Sequence, residues 1–239
     1  MSLDNVRAIV FDVFGTVVDW RTSVAAEARE VAAGLGVEDL NGEAFANAWR
    51  AGYQPAMSAV REGQRPFTPL DTLHRERLDE IASEFGLDGL DDAARDDFTK
   101  AWHRLDPWSD SVAGLNRLKQ RYIIGTLSNG GVMLLANMAK RAGLPWDCIL
   151  SSDLFKAYKP QPETYLGALE LLGDGEPGSV MLLAAHNGDL AHARSHGMAT
   201  AFVARPTEYG PDQVEDQKAE EDWDLIGDTF EDIAEQLGL

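Results

Sequence analysis

An apolar run, Ile9-Val10-Phe11, ends at Asp12, and Gly15 and Thr16 follow within four residues. A carboxylate delivered by a buried strand onto a glycine turn is a candidate nucleophile; it is equally a candidate turn former, because Asp before such a turn bonds its own backbone. The pattern of apolar run followed by reactive loop recurs. Tyr122 to Leu127 runs into Ser128-Asn129, Cys148-Ile149-Leu150 precedes a loop with Lys159-Pro160 and then Tyr165, and Val180 to Ala185 leads into His186-Asn187-Gly188-Asp189. Each has a plain alternative: Ser128 and Asn129 as turn formers, Lys159 as a solvated lysine, Asp189 as a helix N-cap. Four such loops on one edge are harder to explain separately, since ligands of open parallel sheets bind outside the carboxyl ends of the strands.

The elements that must position these residues fall into two groups. After Thr16 the spacing turns helical: Val24, Ala28, Val31 and Leu35 recur on one face and glycines close the run. Ala44 to Val60 predicts a second helix with Phe45, Trp49 and Arg50, Thr68-Pro69 a cap and first-turn proline opening a third, and Asp91 or Asp92 a fourth reaching about His103. From Asp110 helices alternate with runs that are apolar on both faces, ending in strands near Thr200 to Ala204 and Asp224 to Ile226. That alternation predicts an α/β fold, a doubly wound parallel sheet, and the helical stretch reads as an all-helical cap inserted after the first strand. The expected division is residues 1–19 and 106–239 for the α/β core and 20–105 for the cap. Glu208 to Glu221 reads as a solvated acidic loop, and Trp102, Trp108, Trp146 and Trp223 as packing anchors.

Composition narrows the partners. A hydrophobic content of 44% supports a sizeable core, while a net charge of -19 would be repelled by nucleic acid and by anionic membranes, so neither is expected as a partner. An anionic small substrate would need a local cationic pocket. The one cysteine, Cys148, cannot form an internal disulfide, and no run approaches the ~20 apolar residues of a membrane span; a cytoplasmic protein is expected.

Asp12-x-x-Gly15-Thr16, Ser128-Asn129, Lys159-Pro160 and Asp189 resemble, in order, the four motifs of the haloacid dehalogenase superfamily. Phosphatases of that superfamily usually carry a second Asp two positions after the nucleophile to protonate the leaving alcohol, and bind magnesium through an acidic fourth motif. Here Phe14 stands at the first place and the fourth motif has the single carboxylate Asp189, so phosphoryl transfer lacks its proton donor and much of its metal site. Halide leaves without a proton, and a carboxylate attacking carbon in line suffices for that step. Phe14 at a tyrosine position, Trp49-Arg50, Ala157-Tyr158-Lys159-Pro160 and Tyr165 extend the resemblance, over nearly the full chain, to the type II 2-haloacid dehalogenases.

That resemblance implies a HAD-like core, no cofactor and no metal, a short 2-haloacid as substrate, halide as product, and a homodimer. Asp12 would form an ester with C2 that water then hydrolyses. Arg50 would bind the departing halide, Ser128 the substrate carboxylate, and Asn129 halide or carboxylate. Lys159 would keep Asp12 ionised, Asp189 would orient Lys159 and position water, and Thr16 and Tyr165 would support by hydrogen bonding. The chain departs from some relatives at Ala184, His186 and Gly188, where they carry serine, asparagine and tryptophan, and at Gln54 and Leu70 on the cap. His186 is expected either to hydrogen bond the hydrolytic water or a hard leaving group such as fluoride, or to be structural, bonded to Asp189 or to backbone. His103, His192 and His196 read as lying away from the site. The same ester chemistry on another carbon centre, such as a strained cyclic amino acid, is the alternative; a magnesium phosphatase ranks below it.

Overall fold

The computed structural model describes residues 3–239. β1 (Ala8–Phe11) is buried along its whole length and pairs in parallel with β4 (Ile123–Ser128) on one side and β6 (Val180–Ala184) on the other. With β5 (Cys148–Ser151), β7 (Ala199–Val203) and β8 (Leu225–Gly227) it builds a six-stranded parallel sheet in the order β5-β4-β1-β6-β7-β8. The strand order reverses at β1, which places the crevice for a ligand at the residue following it, Asp12.

Both faces of the sheet are covered, and the two-residue period assigns side chains to them. Ile9, Phe11, Met181 and Leu183 enter one core, completed by α6 (Ser111–Leu118), α7 (Val132–Ala142) and α11 (Phe230–Gln236). Ala8, Val10, Leu182 and Ala184 enter the other, completed by α9 (Pro162–Gly173) and α10 (Asn187–Ser195). Burial on both sides is why these strands read as continuous apolar runs.

Between Trp20 and His103 every described element is helical: α1 (Trp20–Gly34), α2 (Gly42–Ala51), α3 (Tyr53–Arg61), α4 (Leu70–Ile81) and α5 (Asp92–Thr99), with short 3-10 turns. Asp19, Asn41 and Asp91 cap α1, α2 and α5 by accepting from backbone amides. The single helix expected over Ala44 to Val60 is two. Pro55 has no amide to give the carbonyl of Ala51, so a continuous helix would be broken there; the chain restarts after Gly52 and seats Pro55 in the first turn of α3. Nor does Thr68 cap α4: its hydroxyl donates to the Pro66 carbonyl, and Pro69 takes the cap position without a side-chain bond. Two short strands escaped the sequence reading. β2 (Val18–Asp19) and β3 (Asp106–Pro107) pair antiparallel where the chain leaves the sheet and where it returns.

Candidate active site

Asp12 follows β1, with its amide donating to the Leu183 carbonyl, and a turn over residues 13–18 folds Thr16 back beside it. The Thr16 hydroxyl donates to Asp12 Oδ2 at 2.8 Å and accepts from the Ala185 amide at 3.0 Å, so the turn is tied to the end of β6. Lys159 Nζ donates to Asp12 Oδ1 at 2.8 Å and also to Asp189 Oδ2, while Tyr165 Oη donates to Asp189 Oδ1 at 2.7 Å. The Lys159 loop is itself fixed, because its amide donates to Asn129 Oδ1 at 2.7 Å and Arg61 of α3 donates to its carbonyl at 3.1 Å. Three of the four strand-end loops are thereby bonded through Asp12 or Lys159, and the fourth through Asn129.

The charges are buried and mutually dependent; Asp12 is 7% and Lys159 8% exposed. Burial alone would raise the Asp12 carboxyl, but the Lys159 ammonium and the His186 ring outweigh it and hold the group well below the usual carboxylate range. Burial would likewise lower Lys159, and the two carboxylates reverse that and push it above the ordinary lysine range. The Tyr165 phenol is driven far up, first by burial and then by Asp189, so it stays a donor. Among the described residues no three or more His, Cys, Asp or Glu side chains are grouped to hold a metal, and the one ammonium of Lys159 lies between both carboxylates.

The partners expected of a structural His186 are not the ones it has. Nδ1 lies 3.0 Å from Asp12 Oδ2 and Nε2 2.8 Å from Glu208 Oε2, with no bond to Asp189 or to backbone. Glu208, expected in a solvated loop, is 1% exposed instead, its other oxygen accepting from the Trp20 indole at 2.9 Å. Burial opposes the His186 charge, but Glu208 and Asp12 dominate and raise the imidazole well above its ordinary value. Gly15 makes the arrangement sterically feasible. Its φ is 85°, and a Cβ there would stand 2.1 Å from Glu208 Oε1.

A cavity of about 270 Å³ opens over Asp12, walled by Phe14, Arg50, Tyr53 and Gln54 on one side and by Asn129, Lys159, His186 and Asp189 on the other. Arg50 reaches it from the last turn of α2, its guanidinium 3.9 Å from the centre of the Tyr53 ring and 5.5 Å from that of Trp20. Its Nη1 is buried without a hydrogen-bond partner. Phe14 packs edge-on to Tyr53 and Trp102, which fixes an apolar ring beside the carboxylate.

Asp12, Phe14, Thr16, Arg50, Asn129, Lys159, Tyr165, His186 and Asp189 are thus gathered by contact or by the cavity. Ser128 is not on the cavity wall; its hydroxyl accepts from the Gly130 amide at 3.1 Å. Gln54 lines the cavity whereas Leu70 is buried in the core. His192, read as remote, lines the cavity, and His196 stacks on Tyr165 with ring centres 5.4 Å apart. His103 is buried and satisfied by Asp71 and Asn137.

Residues 6–183 match the family of haloacid dehalogenase-like hydrolases. The chain is 30% identical over 213 residues to (S)-2-haloacid dehalogenase 4A of Burkholderia cepacia, covering 87% of this chain and 88% of that protein. Among solved structures, a defluorinating L-2-haloacid dehalogenase is 50% identical with a TM-score of 0.94, covering 98% of this chain and 96% of that one. A second L-2-haloacid dehalogenase is also 50% identical, with a TM-score of 0.93 and 98% and 99% coverage.

Proposed function

The chain belongs to the haloacid dehalogenase-like hydrolases, and from that premise we propose that it hydrolyses short (S)-2-haloalkanoic acids to 2-hydroxy acids and halide through an ester on Asp12. The observation that carries this reading is the pairing across one small cavity of an ionised, Lys159-bound carboxylate with a guanidinium that has an unpartnered buried Nη1. Asp12 attacks C2 while the carbon–halogen bond breaks, and the halide departs with its electron pair towards Arg50, a weakly hydrated cation that holds its charge at any working pH. Configuration at C2 inverts in that step. Asn129, whose carbonyl is occupied by the Lys159 amide, offers its NH2 to the substrate carboxylate or halide, with Ser128 behind it. Water then attacks the aspartyl carbonyl, positioned by Asp189, which Lys159 and Tyr165 orient.

Phe14 supports carbon rather than phosphorus as the target, because no acid stands where a leaving alcohol would need one. A volume of about 270 Å³ lies at the small end of ligand pockets, in keeping with a short acid. Residues 20–105 act as a cap on the core of residues 1–19 and 106–239, contributing Arg50, Tyr53 and Gln54 to the wall. No described helix is long and apolar enough to cross a membrane; the unpaired Cys148 supports a reducing cytoplasm as the setting.

Halide release from 2-chloro, 2-bromo and 2-fluoro acids, run beside a phosphate-ester panel with and without magnesium, tests the reading. With enzyme in excess in ¹⁸O-water, the first 2-hydroxy acid should carry an unlabelled oxygen from Asp12. Labelled oxygen in that first product would refute the ester.

A further inference from the structure

The two oxygens of Asp12 are held differently. Oδ1 has one donor, the Lys159 ammonium at 2.8 Å. Oδ2 has two, the Thr16 hydroxyl at 2.8 Å and His186 Nδ1 at 3.0 Å. Both ring nitrogens of His186 face carboxylate oxygens, and a carboxylate accepts only from N–H, so the ring carries both protons. Glu208 is what makes that form persist: it is fully enclosed, anchored by the Trp20 indole, and occupies the space left by the missing side chain of Gly15. Arg50 and Tyr209 lie within electrostatic range of it.

We propose that Glu208 is a positioning residue for the second half of the reaction, holding His186 as an imidazolium aimed at Asp12 Oδ2 so that His186 and Thr16 form the oxyanion site for ester hydrolysis. The proposal rests on the Asp12 ester stated above. Oδ1 forms the bond to C2, and Oδ2 becomes the ester carbonyl oxygen. Water adds to Cγ and gives a proton to Asp189, and the carbonyl electron pair moves onto Oδ2, where the Thr16 hydroxyl and the His186 N–H hold it. The pair returns as the Cγ–Oδ1 bond breaks. The departing alkoxide takes a proton from Lys159, Lys159 recovers one from Asp189, and Asp12, now carrying the water oxygen, loses its proton to solvent as a carboxylate. Donors aimed at Oδ2 help this step more than the first, in which negative charge leaves the carboxylate.

Glu208→Gln keeps the shape and removes the charge. In rapid-quench experiments with (S)-2-chloropropionate, ester hydrolysis should slow roughly 10- to 100-fold more than halide release, a range set below the loss of a whole oxyanion donor. A halide burst stoichiometric with enzyme should then precede the steady state, and the ester should accumulate as an adduct in the intact-protein mass. His186→Asn should split the steps the same way. Equal slowing of both steps, or of neither, overturns the role of Glu208, whereas absence of halide release from the unaltered enzyme overturns the dehalogenase reading itself. Should Glu208→Gln not fold, ¹⁵N spectra of the unaltered enzyme decide: His186 should show two protonated ring nitrogens at pH 8, and one unprotonated nitrogen there refutes the proposal.

Discussion

Replacing Lys159 by Met removes the cation between two buried carboxylates. At 2.8 Å and an effective dielectric near 20, its attraction for Asp12 is about 6 kcal/mol, equivalent to ~10⁴-fold in the proton affinity of that carboxyl. His186 and Thr16 stay in place and water will enter, so the realised change is smaller than this bound. The sign is fixed. In the intact enzyme Asp12 is held below the ordinary range, and halide release should be independent of pH down to the acid limit of folding. In Lys159→Met the Asp12 carboxyl rises, so release should fall as the pH is lowered through a newly visible limb, and the substrate's own negative charge should push that limb higher still. The assay is single-turnover halide release from pH 4 to 9, with a loss of roughly 10-fold or more expected at the acid end. Because the variant leaves Asp12 and Asp189 facing each other, it should be paired with Lys159→Met/Asp189→Asn, which removes the second charge and protects folding. A Lys159→Met enzyme that releases halide within 10-fold of the original rate, with no new acid limb, would show that Asp12 does not depend on this ammonium.

Arg50→Lys keeps the charge but loses the planar fork stacked on Tyr53, so halide release should fall about 10²-fold, read by rapid-quench halide assay; an unchanged rate would argue against the guanidinium as halide site. Gly15→Ala combines a φ of 85° with a Cβ 2.1 Å from Glu208 Oε1, and urea titration should show a loss of about 2 kcal/mol or more, with ester hydrolysis slowed because Glu208 must move. His74 is buried against Trp102, and burial lowers its pKa to about 3. It is therefore neutral when folded and charges on unfolding, so the stability it contributes is complete above its unfolded pKa of ~6.5 and is lost as pH falls towards 3. His74→Phe should flatten the stability profile between those limits in urea titrations, and an unchanged slope would assign it to other groups.

Much of the site was legible because parallel strands buried on both faces announce themselves as apolar runs and the reactive residues lie in the segments that follow them. Asp12, Lys159 and Asp189 follow that rule, and the resemblance to the superfamily motifs distinguishes them from a turn former, a solvated lysine and a helix cap. Glu208 did not follow it. It bonds His186 from 22 residues further on, in an acidic stretch where one buried carboxylate looks like its solvated neighbours. The signals that mark it, the absent Cβ of Gly15 and the indole of Trp20, lie far away in sequence and acquire meaning only in space. For His192 the reason is different: its helical position suggests distance from the strand ends, although α10 starts at the cavity and its second turn still borders it. The break at Gly52 was readable from Pro55 alone, while β2 and β3, at two residues each, are too short to show any alternation.

The β2–β3 ribbon bears on how such a chain could have been assembled. Val18 faces Pro107 and Asp19 faces Asp106, so the two crossings of the chain are separated by one strand spacing, about 5 Å. A segment whose ends already touch can be excised and its stumps joined by a tight turn, or exchanged for another of different length, at little cost in loop-closure entropy. Such an exchange would also have to replace Arg61, which donates to the Lys159 carbonyl, and the Trp20 indole that anchors Glu208. On the proposed division of the chain, the wall that carries Arg50 would be exchanged through one insertion site, at residues 19 and 106, together with the core contacts it makes.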